Sequence, residues 1–359
     1  MHTETIVLDP DRKDVTLTAL CWDPSPALQD ASRPRPGLLI LPGGGYQSHA
    51  HREMDPIALR FAAMGYHTFI LRYSLMRPDG ACLHPQPLID VARAMCLLRE
   101  RAQAWCMDPE RIGVCGFSAG GHLALMYAVS HAQPWLQEAA GLHCPPPRPA
   151  VCIAGYPVVD GMGWTDDQCP HPMTRAVRDE CRLGLFGRSQ PSPALLAAAN
   201  PAAHVTPDAP PAFLWATAED VKAPAANVLH MAEALLAAGV PVETHIFEGG
   251  EHGLALACPA SAGVHRKVEP DAARWVSLCE AWLNRRFALT LTDCPPCHRR
   301  RTCCCLTAGT CSVALSPSGT TATEPKRPCA SPRGRWPSTI PIPATASAPG
   351  PARAYAWTA

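Results

Sequence analysis

An excess of charge of either sign is missing from this sequence: 31 Lys and Arg offset 31 Asp and Glu, for a formal net charge of zero. A chain without a net positive field has no electrostatic footprint for nucleic acid or for an anionic membrane surface. Long apolar runs are missing too. No stretch approaches the roughly 20 apolar residues of a membrane span, and the opening "MHTETIVLDPDRKDV" is polar where a secretory leader needs an apolar core. The expectation is a soluble, cytoplasmic protein with neither nucleic acid nor membrane as partner. The glycine run "LPGGGY" is followed by neither the Gly-Lys-Ser/Thr of a Walker pattern nor G-x-G-x-x-G, so no nucleotide site is expected there. Cysteine is plentiful, 18 in all, but regular spacing is absent from the eleven that precede residue 290. Cys96, Cys115, Cys152 and Cys279 sit inside apolar runs, where a free thiol packs as a small hydrophobe, and they read as reduced.

Two compositional regimes are present. Residues 1–287 alternate short β-like runs with helix-like ones. The strand candidates are "ETIVL", "VTLTALCW", "PGLLILPGG" (36–44), "YHTFILRY" (66–73), "RIGVCG" (111–116), "PAVCIAGY" (149–156), "AFLWAT" (212–217) and "VETHIF" (242–247). Helical patterns cover 56–64, 88–104, 119–130, 225–238 and 270–286. Alternation of this kind predicts an α/β fold, a mostly parallel sheet with helices on both faces. Residues 288–359 are dense in Pro, Ser, Thr, Ala, Arg and Cys without periodicity, and are expected to be disordered. Cys294, Cys297, His298, Cys303, Cys304, Cys305 and Cys311 invite a zinc reading, but the second ligand pair of a zinc module is missing, so neither metal nor cofactor is expected.

The chemistry concentrates around "RIGVCGFSAGGHLALMYA" (111–128), where an apolar strand stops at a Gly-Phe-Ser-Ala-Gly-Gly turn and restarts as a helix. A G-x-S-x-G elbow, here Gly116, Ser118 and Gly120, holds a serine on a strained turn with its Oγ projecting into a site. Chance supplies the bare pattern about 0.1 times in a chain of this length, so the partners matter. Serine needs a base and a group to orient that base. The order serine, acid, histidine applies if the fold is an α/β-hydrolase. The loop after "AFLWAT" holds two adjacent acids, Glu219 and Asp220. Either can orient a histidine, and Asp220, shorter and nearer the middle of the loop, is favoured. His252 follows in the glycine-rich loop "EGGEHG", suited to an imidazole that passes protons. His122, four residues after Ser118, is the nearest rival among 15 histidines and is expected to pack beside the turn. The N–H of Ala119, with one from Gly44 or Gly45, forms the expected oxyanion site.

Together "LPGGGY", "DPERIGVCGFSAGGHLA", "NPAAHVTPDAPPAFLWATAED" and "IFEGGEHGLALA" resemble bacterial α/β-hydrolase esterases of the acetyl-xylan esterase-like group, related to the hormone-sensitive-lipase and dienelactone hydrolase branches. The resemblance spans roughly residues 16–286. It implies an eight-stranded, mostly parallel sheet, no cofactor, and hydrolysis of short acyl esters, often acetyl groups on sugars. It places the nucleophile on Ser118, the base on His252, the acid on Asp220 and the oxyanion donors on Gly44 or Gly45 with Ala119. Two departures stand out. Trp215 occupies the strand where such proteins usually carry a histidine, and Ala223 replaces the valine of their Val-Pro, although Pro224 is kept. Three rival readings share the same residues: a peptidase, a lactone hydrolase, and a catalytically inactive binding hydrolase. The segment 157–203 reads as loop plus one short helix, too short for a large lid, which leaves an open site for a small ester.

Overall fold

The computed structural model describes residues 1–25 and 34–287. The tail and its Cys294–Cys311 cluster lie outside the described residues. Eight strands form one sheet: β1 (His2–Val7), β2 (Thr16–Cys21), β3 (Arg35–Leu41), β4 (His67–Arg72), β5 (Met107–Phe117), β6 (Cys152–Gly155), β7 (Ala212–Thr217) and β8 (Val242–Phe247), in the order β1-β2-β4-β3-β5-β6-β7-β8. The β1–β2 and β2–β4 pairs are antiparallel and the remaining five are parallel. This is the α/β fold and strand count expected from the alternation and the resemblance.

Composition explains the order of burial. Leu38, Leu39, Ile40 and Leu41 of β3, Val114 and Cys115 of β5, and all six residues of β7 are buried. Strands buried on both faces need continuous apolar runs. β1, at one edge, keeps an exposed row, and β8, at the other, is half-buried throughout. Nine helices are present among the described residues: α1 (Asp55–Ala63), α2 (Gln86–Arg101), α3 (Ala119–Ser130), α4 (Pro134–Ala139), α5 (Pro172–Phe186), α6 (Pro193–Ala198), α7 (Ala226–Ala237), α8 (Pro270–Ala273) and α9 (Trp275–Arg286). None is long and apolar enough to cross a membrane. Phe61 of α1 meets Trp275 of α9, with ring centroids 6.2 Å apart, and Trp275 stacks on Trp215 of β7 at 5.1 Å. These aromatics seal one face of the sheet. α2 packs on α3, which lies along β5 and β6.

Two expectations are corrected. β5 starts at Met107, before Arg111, because Arg35 pairs with Met107 across a register shift that ends where Gly37 meets Ile112. The 157–203 segment carries two helices, α5 of 15 residues and the shorter α6. α5 is amphipathic, and it docks on the glycine loop: a Cβ on Gly184 would stand 2.2 Å from the carbonyl oxygen of Gly45. The chain leaves β3 to one side for β4 and returns on the other for β5. The loops after β3 and β5 therefore flank a topological switch point, where open α/β sheets form their crevices.

Candidate active site

Ser118 caps the N-terminus of α3 immediately after β5, with φ 52° and ψ −120°. A non-glycine residue there is strained, and such strain gathers at functional turns. The flanking glycines are dictated by backbone contact: a Cβ on Gly116 would lie 2.0 Å from Gly120 O, and one on Gly120 would lie 2.1 Å from Leu41 O. The Ser118 N–H donates to Gly155 O at 3.0 Å, which pins the turn to β6.

Ser118 Oγ lies 2.8 Å from His252 Nε2, and His252 Nδ1 lies 2.7 Å from Asp220 Oδ2. A carboxylate only accepts, so the imidazole proton sits on Nδ1 and Nε2 is left as the acceptor for the serine hydroxyl. Asp220 is 3% exposed, and its other oxygen accepts the N–H groups of Lys222 and Ala223, both at 2.9 Å. Glu219 turns the other way and accepts the Gly250 N–H at 3.0 Å. The histidine loop is held by Thr217, whose hydroxyl donates to Gly250 O at 2.6 Å, by Arg52 on Gly253 O, and by the Lys267 ammonium on His252 O. Lys267 is half-buried between this carbonyl and Glu251, and desolvation lowers its pKa from the usual lysine value.

Gly44 and Gly45 stand across from the serine with φ 127° and 61°. Gly44 has no room for a side chain, since a Cβ would meet Ser48 O at 2.1 Å. Ala119 is the first residue of α3, where the N–H has no acceptor within the helix. The cleft shared by Ser118, His252, Gly44 and Gly45 has a volume of about 270 Å³. Val177, Glu180 and Cys181 of α5 form one wall, and Arg52, Lys222 and Lys267 line another part. Two larger hollows, of about 810 and about 390 Å³, meet at His84 and Pro85, and neither includes Ser118 or His252.

His122 is absorbed into the core. Its Nε2–H donates to Ala199 O at 2.7 Å and its Nδ1 accepts the Tyr46 hydroxyl at 2.6 Å, and burial lowers its pKa from 6.5 to about 4. Trp215 packs edge-on to Tyr156 at 4.9 Å, filling space beside Gly155, where a Cβ would meet its Nε1 at 2.8 Å.

Sequence reasoning missed a buried pair beside the serine, Glu53 and Tyr156. Glu53 is 2% exposed; it accepts the Gly43 N–H at 2.7 Å and the Tyr156 hydroxyl at 2.8 Å. Burial raises its pKa above the usual glutamate value, while these two bonds and the nearby His252 act in the opposite sense. The Tyr156 oxygen accepts the Ala255 N–H at 2.9 Å, and its ring meets His252 edge-on at 5.1 Å. Tyr156 ends a strand candidate, the usual place for a site residue, whereas "HREMDP" around Glu53 carries no pattern to mark it.

A strand-to-helix elbow serine at a switch point, within reach of a histidine and a buried aspartate, defines an α/β-hydrolase. Residues 27–235 match the BD-FAE family, and the chain belongs to it. Among solved structures it is similar to the carboxylesterase Cest-2923 of Lactobacillus plantarum, with 33% identity over 79% of this chain and 98% of that one, and a TM-score of 0.67. It is also similar to the acetyl ester-xyloside bifunctional hydrolase of Caldicellulosiruptor lactoaceticus, at 30% identity over 79% and 96% of the two chains, with a TM-score of 0.62. A curated relative, the acetylxylan esterase of Xylanibacter ruminicola, is 26% identical over 67% of this chain and 45% of its own length. The alignments to the curated relatives cover 32% to 47% of those proteins' lengths.

Proposed function

We propose that this protein is a serine carboxylic ester hydrolase that removes short acyl groups, acetyl foremost, from sugar or xylo-oligosaccharide alcohols. The observation that carries the reading is the unbroken relay from Asp220 Oδ2 through His252 to Ser118 Oγ, with steps of 2.7 and 2.8 Å. His252 takes the hydroxyl proton through Nε2 as Ser118 Oγ forms a bond to the ester carbonyl carbon. The N–H groups of Ala119 and of Gly44 or Gly45 hold the oxyanion, and Asp220 keeps the imidazole in the productive tautomer. The tetrahedral intermediate collapses, the C–O bond to the alcohol breaks, and His252 returns its proton to the leaving oxygen. Water then attacks the acyl-serine by the same proton path and releases the acid.

A small acyl group is supported by the modest cleft volume, about 270 Å³, and by the printed names of the relatives. A sugar alcohol is supported by the polar wall of Arg52, Lys222, Lys267 and Glu180. The cytoplasmic compartment and the small ester as sole partner, both read from the sequence, are part of the same proposal.

The test is hydrolysis of p-nitrophenyl acetate, butyrate and octanoate by the full chain and by Ser118→Ala. The expected result is activity that falls with acyl length and drops at least about 10³-fold in the variant, since only the residual binding and oxyanion contribution survives. A folded wild-type protein without serine-dependent turnover would leave the inactive binding hydrolase as the better reading.

A further inference from the structure

A carboxylate without solvent access is costly to keep unless it does something there. Glu53 sits on the short segment between the glycine loop and α1, and it lines the same cleft as Ser118. It is not part of the proton relay described above. Its two oxygens divide between two loops: Oε2 accepts from Gly43, the residue before the glycines assigned to the oxyanion site, and Oε1 accepts from Tyr156. Tyr156 in turn accepts from Ala255, three residues after His252, and its ring lies against the imidazole. The contact is close on every side. A Cβ on Gly43 would stand 2.8 Å from Glu53 Oε2 and 2.9 Å from Ser118 Cβ, and one on Gly253 would stand 3.9 Å from Glu53 Oε1. One carboxylate therefore spans from the oxyanion loop to the histidine loop across the nucleophile.

We propose that Glu53 is a positioning residue of the reaction, holding the oxyanion-loop amides and the His252 loop in mutual register through Gly43 and Tyr156. The inference rests on the serine-esterase reading. Glu53 acts through N–H groups and an imidazole that it orients. Its contribution belongs to the transition state, because the developing oxyanion and imidazolium demand tighter geometry than the bound ester does. The buried charge has a matching electrostatic logic, since an anion beside His252 favours the positive imidazole formed when the serine loses its proton.

The experiment compares full-length wild type, Glu53→Gln, Tyr156→Phe and the double variant on p-nitrophenyl acetate. Functional serines are first counted in each with a fluorophosphonate. Glutamine keeps the shape and can still accept from Gly43, but it removes the charge and the acceptor for the tyrosine hydroxyl. The expected result is a kcat per titrated serine about 10- to 100-fold lower in Glu53→Gln, the scale of a misplaced catalytic group, with KM within about threefold. Tyr156→Phe should fall in the same direction, and the double variant should be little worse than Glu53→Gln because both cut one chain of contacts. A merely structural role predicts fewer titratable serines with unchanged kcat per site, and that result would overturn the inference. So would fully additive losses. If Glu53→Gln does not fold, Tyr156→Phe with wild-type kcat per site is sufficient to reject it. Wild type without Ser118-dependent turnover removes the esterase reading and this inference together, whereas active wild type with unaffected variants removes the inference alone.

Discussion

Replacing Asp220 with asparagine exchanges one oxygen for an NH₂ group, and the surroundings dictate which. Oδ1 accepts two backbone N–H groups at 2.9 Å, from Lys222 and Ala223, while Oδ2 faces His252 Nδ1 at 2.7 Å. Turning the NH₂ toward the two backbone donors would leave both unsatisfied in a buried site, at about 1–3 kcal/mol each. The amide therefore keeps its oxygen on the backbone and points its NH₂ at His252. Donor then faces donor unless the imidazole moves its proton to Nε2, and Nε2 so protonated can no longer accept from Ser118. The fold and the cleft survive, but the base is in the wrong tautomer. The expected loss in kcat is about 10⁴-fold, or about 5 kcal/mol of transition-state stabilisation. The assay is kcat for p-nitrophenyl acetate per fluorophosphonate-titrated serine, with Glu219→Gln as the control. Glu219 holds only the Gly250 N–H, so its variant should stay within about tenfold of wild type. An Asp220→Asn enzyme within tenfold of wild type, or a Glu219→Gln enzyme worse than it, would refute the assignment of the acid.

Gly120→Ala should destabilise the protein without touching the relay, because the new Cβ lies 2.1 Å from Leu41 O and 2.4 Å from Pro42 O, backbone atoms that cannot swing aside. Overpacking of that kind costs about 1–3 kcal/mol, a fall in melting temperature of about 2–12 °C for a domain of this size, and an unchanged melt would contradict the packing. Stability should also depend on His122. Its folded pKa of about 4 lies below the ordinary 6.5, so its stabilising contribution is complete above pH 6.5 and is lost as pH falls toward 4. That window is worth about 3 kcal/mol. Denaturant melts of His122→Gln should show a shallower stability loss between pH 6.5 and 4 than wild type, and parallel curves would mean that burial does not hold this imidazole neutral.

The amino-acid order alone specified much of this architecture, for physical reasons that differ by element. β7, β8 and α3 coincide with their sequence-read limits because a six-residue apolar or alternating run ends at a loop, or begins at glycine-flanked Ser118, and local chemistry decides the boundary. The elbow, the glycine run and the histidine loop were legible because close backbone approach requires glycine, and glycine is visible in one dimension. β5 outran its expected start because its first residues pair with Arg35, some 70 positions earlier in the chain, and no local pattern records such a pairing. Glu219 and Asp220 are neighbours of the same charge in one loop. Only the path of that loop beside Gly250 and His252 turned one toward the imidazole and the other away. Glu53 was invisible for the same reason in stronger form: an acid before a helix normally reads as solvated, and this one is buried only because the chain reverses at β3 and brings Gly43, Ser118 and Tyr156 around it. Sequence periodicity determines which residues leave water. Which polar groups leave with them depends on contacts between distant segments, and those exist only once the sheet has closed.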